Sequence, residues 1–348
     1  MTRDRRPLLL TANPDLLDDL LGLAAAVGVA VDVAVEPTVC RPQWTDAPLV
    51  LLGTDVAAAA SRLGRRGGVL LISRCAPPET LAAAVGVEDV IVLPSGEDEV
   101  LARLADTAEP PTPARVIGVL GGRGGAGASA LAAGLALTAA GRGPSWLIDL
   151  DPIGGGADAG LGAELVAGAR WTDLGVVTGR LSPHALRSAL PEVGGVAVVA
   201  ADEGTSADLS PEAVRAVVDA ACHGGGTVVL DLGRNPTAAR DDATVLIDDL
   251  FLLVPAELRA VLAARRVVGS LRPTAPTPRL VVRNVPGALP SREVARGLDL
   301  PLAGELPDEV VVRAAIQAGD PEALTRGTAL AALCEAILVV PAAFEAAA

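Results

Sequence analysis

The chain has 348 residues, 51% of them apolar and only 1% aromatic, with a formal charge of −14. That length allows two domains, each burying a core, and the scarcity of aromatics means cores of Ala, Val and Leu, which favours tightly packed α/β layers. With 42 acidic residues against 28 basic ones, every basic residue an arginine and no run of arginines longer than a pair, the composition argues against binding to a nucleic-acid backbone or an anionic membrane surface.

The N-terminus, Met1 to Arg6, is basic, but only Leu8-Leu9-Leu10 follows before Asn13 and Pro14 interrupt. That is too short for a secretory core, and no window reads as a spanning helix, so a cytoplasmic location is expected. Residues 1–105 then alternate short apolar runs with Ala/Leu-rich helical stretches. Strands are predicted at Pro7–Leu10, Val29–Val33, Leu49–Leu52, Val69–Ile72 and Val90–Leu93, with helices near Asp15–Ala26, Ala57–Leu63, Pro78–Ala84 and Glu97–Leu104. This α/β order suggests a flavodoxin-like receiver domain. A working receiver needs acids after the first strand, an acceptor Asp ending the third and a Lys ending the fifth. Those places hold Thr11-Ala12-Asn13, Gly53 and Leu93, while Asp15 and Asp55 are displaced. A degenerate receiver acting as a docking module is expected.

Residues 106–113, with three prolines and two acids, read as a linker. From 114 to 348 a β-α alternation with strands too apolar to be half-exposed predicts one doubly wound, mostly parallel domain. Ala114–Leu120 is its first strand, and Ser129–Ala140 a helix ended by Gly141. Between them lies Gly122-Arg123-Gly124-Gly125-Ala126-Gly127-Ala128-Ser129, followed by Ala130. Glycines in this setting let backbone N–H groups converge on phosphate oxygens at a helix N-terminus. A standard phosphate loop carries Lys before the Ser; here Ala128 stands in that place. Losing that cation removes a charge-assisted hydrogen bond worth about 1.5–3 kcal/mol. Further on, Trp146–Pro152 ends an apolar strand with Asp149 and Asp151, and Gly226–Gly233 holds four apolar residues and Asp231.

These motifs, in this order, resemble the MinD/ParA group of P-loop ATPases and its deviant Walker A loop. The resemblance implies binding of ATP or ADP with Mg²⁺ by residues 122–130. Arg123 stands at the signature basic position that reaches a partner's nucleotide in a sandwich dimer. Ser129, Asp149 and Asp231 would serve the Mg²⁺ shell, Asp151 would orient the attacking water, and Asn284, ending the strand Leu280–Arg283, would bind the base. Leu300–Asp308 and Val312–Pro321 resemble the family's tail.

The segments 154–164, 170–174 and 254–260, with a degenerate receiver placed ahead, look like the actinobacterial CpaE-like group, also described as septum-site-determining (Ssd) proteins near Tad-type secretion and pilus genes. The resemblance implies a homodimer that positions division or Tad pilus/secretion machinery through protein partners. Unlike MinD, the stretch 328–348 is apolar and acidic with no arginine, so no direct membrane anchor is expected. Cys40, Cys75, Cys222 and Cys334 lack metal-ligand spacing, and His184 and His223 are isolated. Two readings stay open: a scaffold with impaired or absent hydrolysis, which the loss at Ala128 favours, and a slow but genuine Mg-ATPase switch using Arg123 and Asp151. A metabolic P-loop ligase or reductase lacks a substrate constellation.

Overall fold

A computed structural model describes residues 6–75, 81–82, 85–108, 114–151, 154–175, 181–201 and 209–339. The chain divides into two units, Met1–Pro110 and Pro111–Ala348.

The first unit holds strands β1 (Leu8–Leu10), β2 (Asp32–Ala34), β3 (Val50–Gly53), β4 (Val69–Ser73) and β5 (Asp89–Val92) in the spatial order β2-β1-β3-β4-β5, all parallel. This is the flavodoxin-like order. Its helices include α1 (Pro14–Ala26), α2 (Arg41–Asp46), α3 (Thr54–Ala60) and α4 (Glu97–Ala108). Continuous apolar runs make these strands because both faces of the sheet are covered. Leu8 and Leu10 face a cluster with Trp44, Leu52 and Leu71, while Leu9 faces Leu16, Leu20, Leu51 and Leu104 on the other side. α1 starts where Asn13 accepts hydrogen bonds from the N–H groups of Asp15 and Leu16, with Pro14 at the first helical position.

Three details differ from expectation. The edge strand β2 begins three residues later than predicted, and α2, whose buried Trp44 plugs the core, was not foreseen. α4 also continues through Asp106–Ala108, into the stretch expected as linker, and residues 109–113 lie outside the described residues. Most of the helix expected over Pro78–Ala84 lies outside them as well.

The receiver's acceptor position is closed by packing. A Cβ on Gly53 would lie 2.2 Å from Asp55 Oδ1 and 2.5 Å from Thr11 Oγ1. Thr11 donates to Asp55 at 2.8 Å, and the Ala12 N–H donates to the same carboxylate at 2.7 Å. The displaced Asp55 therefore folds back to tie down the β1–α1 turn, occupying the space an acceptor side chain at position 53 needs.

The second unit is an eight-stranded sheet. Its strands are β6 (Arg115–Gly121), β7 (Ser145–Asp149), β8 (Glu192–Val193), β9 (Val196–Val199), β10 (Thr227–Leu232), β11 (Asp249–Pro255), β12 (Arg279–Arg283) and β13 (Leu302–Leu306). The order is β13-β12-β11-β6-β10-β7-β9-β8, parallel except at the short β8. The helices are α5 (Ala128–Ala140), α6 (Trp171–Leu174), α7 (Pro183–Ala189), α8 (Pro211–His223), α9 (Ala238–Ala243), α10 (Leu258–Gly269), α11 (Ser291–Leu298), α12 (Val310–Ala318), α13 (Pro321–Thr325) and α14 (Ala329–Val339).

Alternate strand residues feed two apolar layers. Ile117, Val119, Leu147, Val229, Phe251 and Val281 pack under α5 and α14. Leu120, Ile148, Leu230, Leu252 and Val282 pack under α8, α10 and α11. α5 is apolar on nearly every face, as suits a helix buried between sheet and α14. Gly134 makes the α5–α14 approach possible: a Cβ there would sit 3.1 Å from Cys334 Sγ. Arg115 fixes the end of α14 by donating to the carbonyls of Ile337 and Leu338. This winding puts the C-terminal ends of β6, β10 and β7 side by side, where open parallel sheets bind ligands.

Candidate phosphate-binding site

The loop after β6 has the backbone geometry of a phosphate cradle. Gly125 and Gly127 take φ values of +67° and +103°, which side chains rarely adopt. Gly122 donates to the Leu253 carbonyl at 2.9 Å, and its missing Cβ lets the loop press against Val254 and Ala264. Ala126 donates back to Arg123, and the first hydrogen bond of α5 runs from Leu131 to the Gly127 carbonyl at 3.0 Å. The N–H groups of Gly124, Gly125, Gly127, Ala128, Ser129 and Ala130 donate to no protein acceptor among the described residues. They join the partial positive charge of the helix start. Ala128 is the first residue of α5 and brings only a methyl group.

Three carboxylates face this loop. Asp149 and Asp231 are register partners on adjacent strands, and both are almost fully buried. Asp149 accepts from the N–H groups of Asp151 at 2.9 Å and Ala157 at 2.7 Å. Burial pushes its proton affinity well above the usual carboxylate range, with Asp151 and Asp158 adding repulsion and those two hydrogen bonds opposing. Asp231 is pushed up by burial and by the charge of Asp149, against the Ser129 hydroxyl beside it. β7 stops at Asp149, so Asp151 lies past the strand and its place is not set by strand alternation. Two glycines place it instead: a Cβ on Gly233 would lie 3.0 Å from Asp151 Cα, and one on Gly154 would lie 3.2 Å from its Cβ. The structure thus brings Ser129, Asp149, Asp151 and Asp231 together. Among the described residues no three His, Cys, Asp or Glu side chains form a metal site by themselves. Mg²⁺ would draw on phosphate and water oxygens as well, which is its habit.

Arg123 is turned to the β11–α10 turn, where it donates to Glu257 at 3.1 Å, and its Nε is buried without a partner. Asn284 stands at the end of β12; its backbone N–H donates to Leu306 and its carboxamide to Glu305 Oε2 at 3.2 Å. The expected base-binding residue is thus engaged with β13 rather than gathered with the loop. Trp171, opening α6, donates its indole N–H to the Asp149 carbonyl at 2.7 Å. The sequence reading missed two further cations. Arg234 follows β10, and a Cβ on Gly124 would lie 3.4 Å from its Nη2; Arg283 ends β12, and a Cβ on Gly127 would lie 3.3 Å from its Nη1. Their positions at or just beyond the C-terminal ends of parallel strands were the available signal.

Elsewhere, burial raises the Cys40, Cys222 and Cys334 thiols, the last to about 12, and the cysteines are unpaired. Among the described residues no helix is long and apolar enough to cross a membrane.

Residues 10–115 match a family described as Rv3660c-like, CheY-like N-terminal domain. The chain is 37% identical over 309 residues to the uncharacterized protein Rv3660c of Mycobacterium tuberculosis, an alignment spanning 85% of this chain and 87% of that protein. A ParA family ATPase from Chlorobium tepidum superposes with a TM-score of 0.58 at 15% identity, over 64% of this chain and 98% of its own. The septum site-determining protein MinD from Pyrococcus horikoshii, complexed with Mg-ADP, does so at 0.51 and 16%, over 67% and 100%. The second unit therefore has the MinD/ParA fold.

Proposed function

This chain belongs to the family of the Mycobacterium tuberculosis protein Rv3660c, and we propose that it is a MinD/CpaE-like spatial regulator that binds a nucleotide with impaired or absent hydrolysis. In this reading it dimerises through the loop face and positions septum or Tad-type pilus and secretion machinery. The CheY-like unit docks the partner, since its acceptor position is filled by Thr11 and Asp55. Recruitment to septum or pole then comes from partners.

One observation carries the reading: the backbone cradle is intact, with six undonated N–H groups before and within the first turn of α5, while Ala128 leaves the lysine position empty of charge. The donor set fits a nucleotide phosphate, and Ser129 with Asp231 and Asp149 fits a Mg²⁺ shell completed by phosphate and water. Bound Mg²⁺ would neutralise phosphate charge there. Ser129 presents its hydroxyl beside Asp231, and the two buried aspartates hold negative charge that a divalent cation relieves.

A slow Mg-ATPase is the second reading, and the placement of Asp151 beside Asp149 and Asp231 favours it. Titration of Mg-ATP into the full chain, with turnover measured for wild type, Arg123→Ala and Asp151→Ala, separates the two. Binding without turnover is the expected result. Turnover abolished by Asp151→Ala establishes the slow ATPase, and no binding at millimolar ATP removes the nucleotide from the function.

A further inference from the structure

The missing lysine leaves a charge problem that the fold answers from outside the loop. A triphosphate seated on the cradle lies close to Asp149, Asp151 and Asp231, so cations have to be near it. Arg123 is committed to Glu257. Arg234 and Arg283 approach the loop from two strand ends, one against Gly124 and the other against Gly127, and so span the cradle. Among the described residues neither guanidinium has an ion pair or hydrogen bond, and Arg283 Nε is buried without any partner. Two arginines deeper in this unit are engaged by contrast: Arg115 binds Asp249, and Arg170 donates to the carbonyls of Ala163 and Val166. A buried donor left unmade, as at Arg283 Nε, is costly, so an acceptor supplied by a ligand fits there, while Arg234 is exposed and brings its charge to the loop from solvent.

Both side chains leave from fixed backbone. The wholly buried Arg240 donates to the Arg234 carbonyl at 3.1 Å and is held by Asp241 at 3.0 Å. The Arg283 carbonyl accepts from Ala256 at 2.9 Å, inside the β11–β12 pairing. Anchoring of this kind aims a guanidinium fork, which grips phosphate through two donors where an ammonium acts as a point charge.

We propose that Arg234 and Arg283 bind the phosphates of a nucleoside triphosphate in place of the cation absent at Ala128. The proposal deepens the nucleotide reading above and rests on it. The cations come from the ends of β10 and β12 rather than from the loop, so occupancy of the cradle ties three strand ends to one ligand.

Calorimetric titration of the full chain with Mg-ATP, and separately with inorganic tripolyphosphate, tests it on Arg234→Gln, Arg283→Gln and the double variant, with thermal melting to confirm folding. Each single change should weaken ATP binding about tenfold or more, as loss of a charge-assisted hydrogen bond does. Arg→Lys at either position should recover only part of it. Ala128→Lys, added to the double variant, should restore binding. If wild type binds ATP and the folded double variant binds it equally well, the two arginines are not phosphate ligands, and the nucleotide reading survives without them. If wild type binds tripolyphosphate but not ATP, and the double variant binds neither, the arginine site stands and the nucleotide reading falls. If wild type binds neither, both fall.

Discussion

Asp231 shows how a single residue can be costly to the empty protein and useful to the bound one. It is 4% exposed, and burial with the neighbouring Asp149 raises its proton affinity, so its ionised form weakens the fold. A carboxyl whose folded pKa is raised contributes stability at low pH that is lost as pH climbs through the folded value. Asp231→Asn should therefore stabilise the second unit by about 1–2 kcal/mol in EDTA at pH 8, read by urea denaturation. With Mg-ATP present the order should reverse, because wild type alone gains the cation; a variant that melts earlier in EDTA would show that the repulsion is not there. Glu257 is the opposite case. Its pair with Arg123 is 36% and 41% exposed on the two side chains, worth about 0.2–1 kcal/mol at most. Glu257→Gln should leave stability within about 0.5 kcal/mol while raising ATP affinity severalfold, since it frees a cation beside the cradle. Unchanged affinity in titration would mean that Arg123 does not turn to the loop when released.

Elements ending in these residues were legible where burial is two-sided. Parallel strands covered on both faces read as unbroken apolar runs, so β1, β3, β4, β6, β10 and β12 stood out, and the carboxylates closing β7 and β10 with them. The edge strand β2 has half-buried Asp32 and Ala34 around an exposed Val33, and its pattern did not fix its start. Six-residue α2 is too short to show a period and is held by one side chain, Trp44. Arg234 and Arg283 were invisible for another reason: the periodicity of a strand says where its residues point, not where a long arginine reaches after the strand ends. Nor could spacing show that Gly154 and Gly233 would seat Asp151 past the end of β7. The same lesson applies to helices. The glycine in α5 looks like a helix weakener, yet a Cβ there would press on Cys334 and Leu330 of α14. Gly134→Val should cost about 1–3 kcal/mol by overpacking Cys334 and Leu330. Cys334→Ala, adding space, should recover part of that loss, and a double-mutant cycle showing simple additivity would mean that the two sites do not share a contact.

At the scale of the whole molecule, the two units answer different halves of the function. The CheY-like unit has, among the described residues, a five-stranded sheet with cores on both faces and an acceptor position packed shut, which suits the docking role proposed for it. The MinD/ParA-like unit carries the proposed anion site inside a chain of formal charge −14. That balance separates this protein's expected behaviour from an ATPase that rides on DNA. A backbone-binding protein releases counterions, and its affinity falls steeply with salt. Here Arg234 and Arg283 lie against the loop glycines, and the rest of the composition repels a polyanion. Duplex DNA should therefore produce no mobility shift at about 0.1 M salt, where exposed charges still interact over roughly 10 Å, and should leave nucleotide binding unchanged. ATP binding itself should weaken as salt is raised from about 0.05 to 0.5 M, because guanidinium–phosphate contacts at a partly open site are screened. A DNA shift that survives Arg234→Gln and Arg283→Gln would place a basic surface elsewhere on the chain and move the protein towards the partition ATPases. A shift lost in those variants would mean that the cradle itself takes nucleic-acid phosphate. Salt-dependent ATP binding with no DNA shift leaves a compact anion site as the charge-driven contact, and partner choice then falls to other surfaces, such as those of the CheY-like unit.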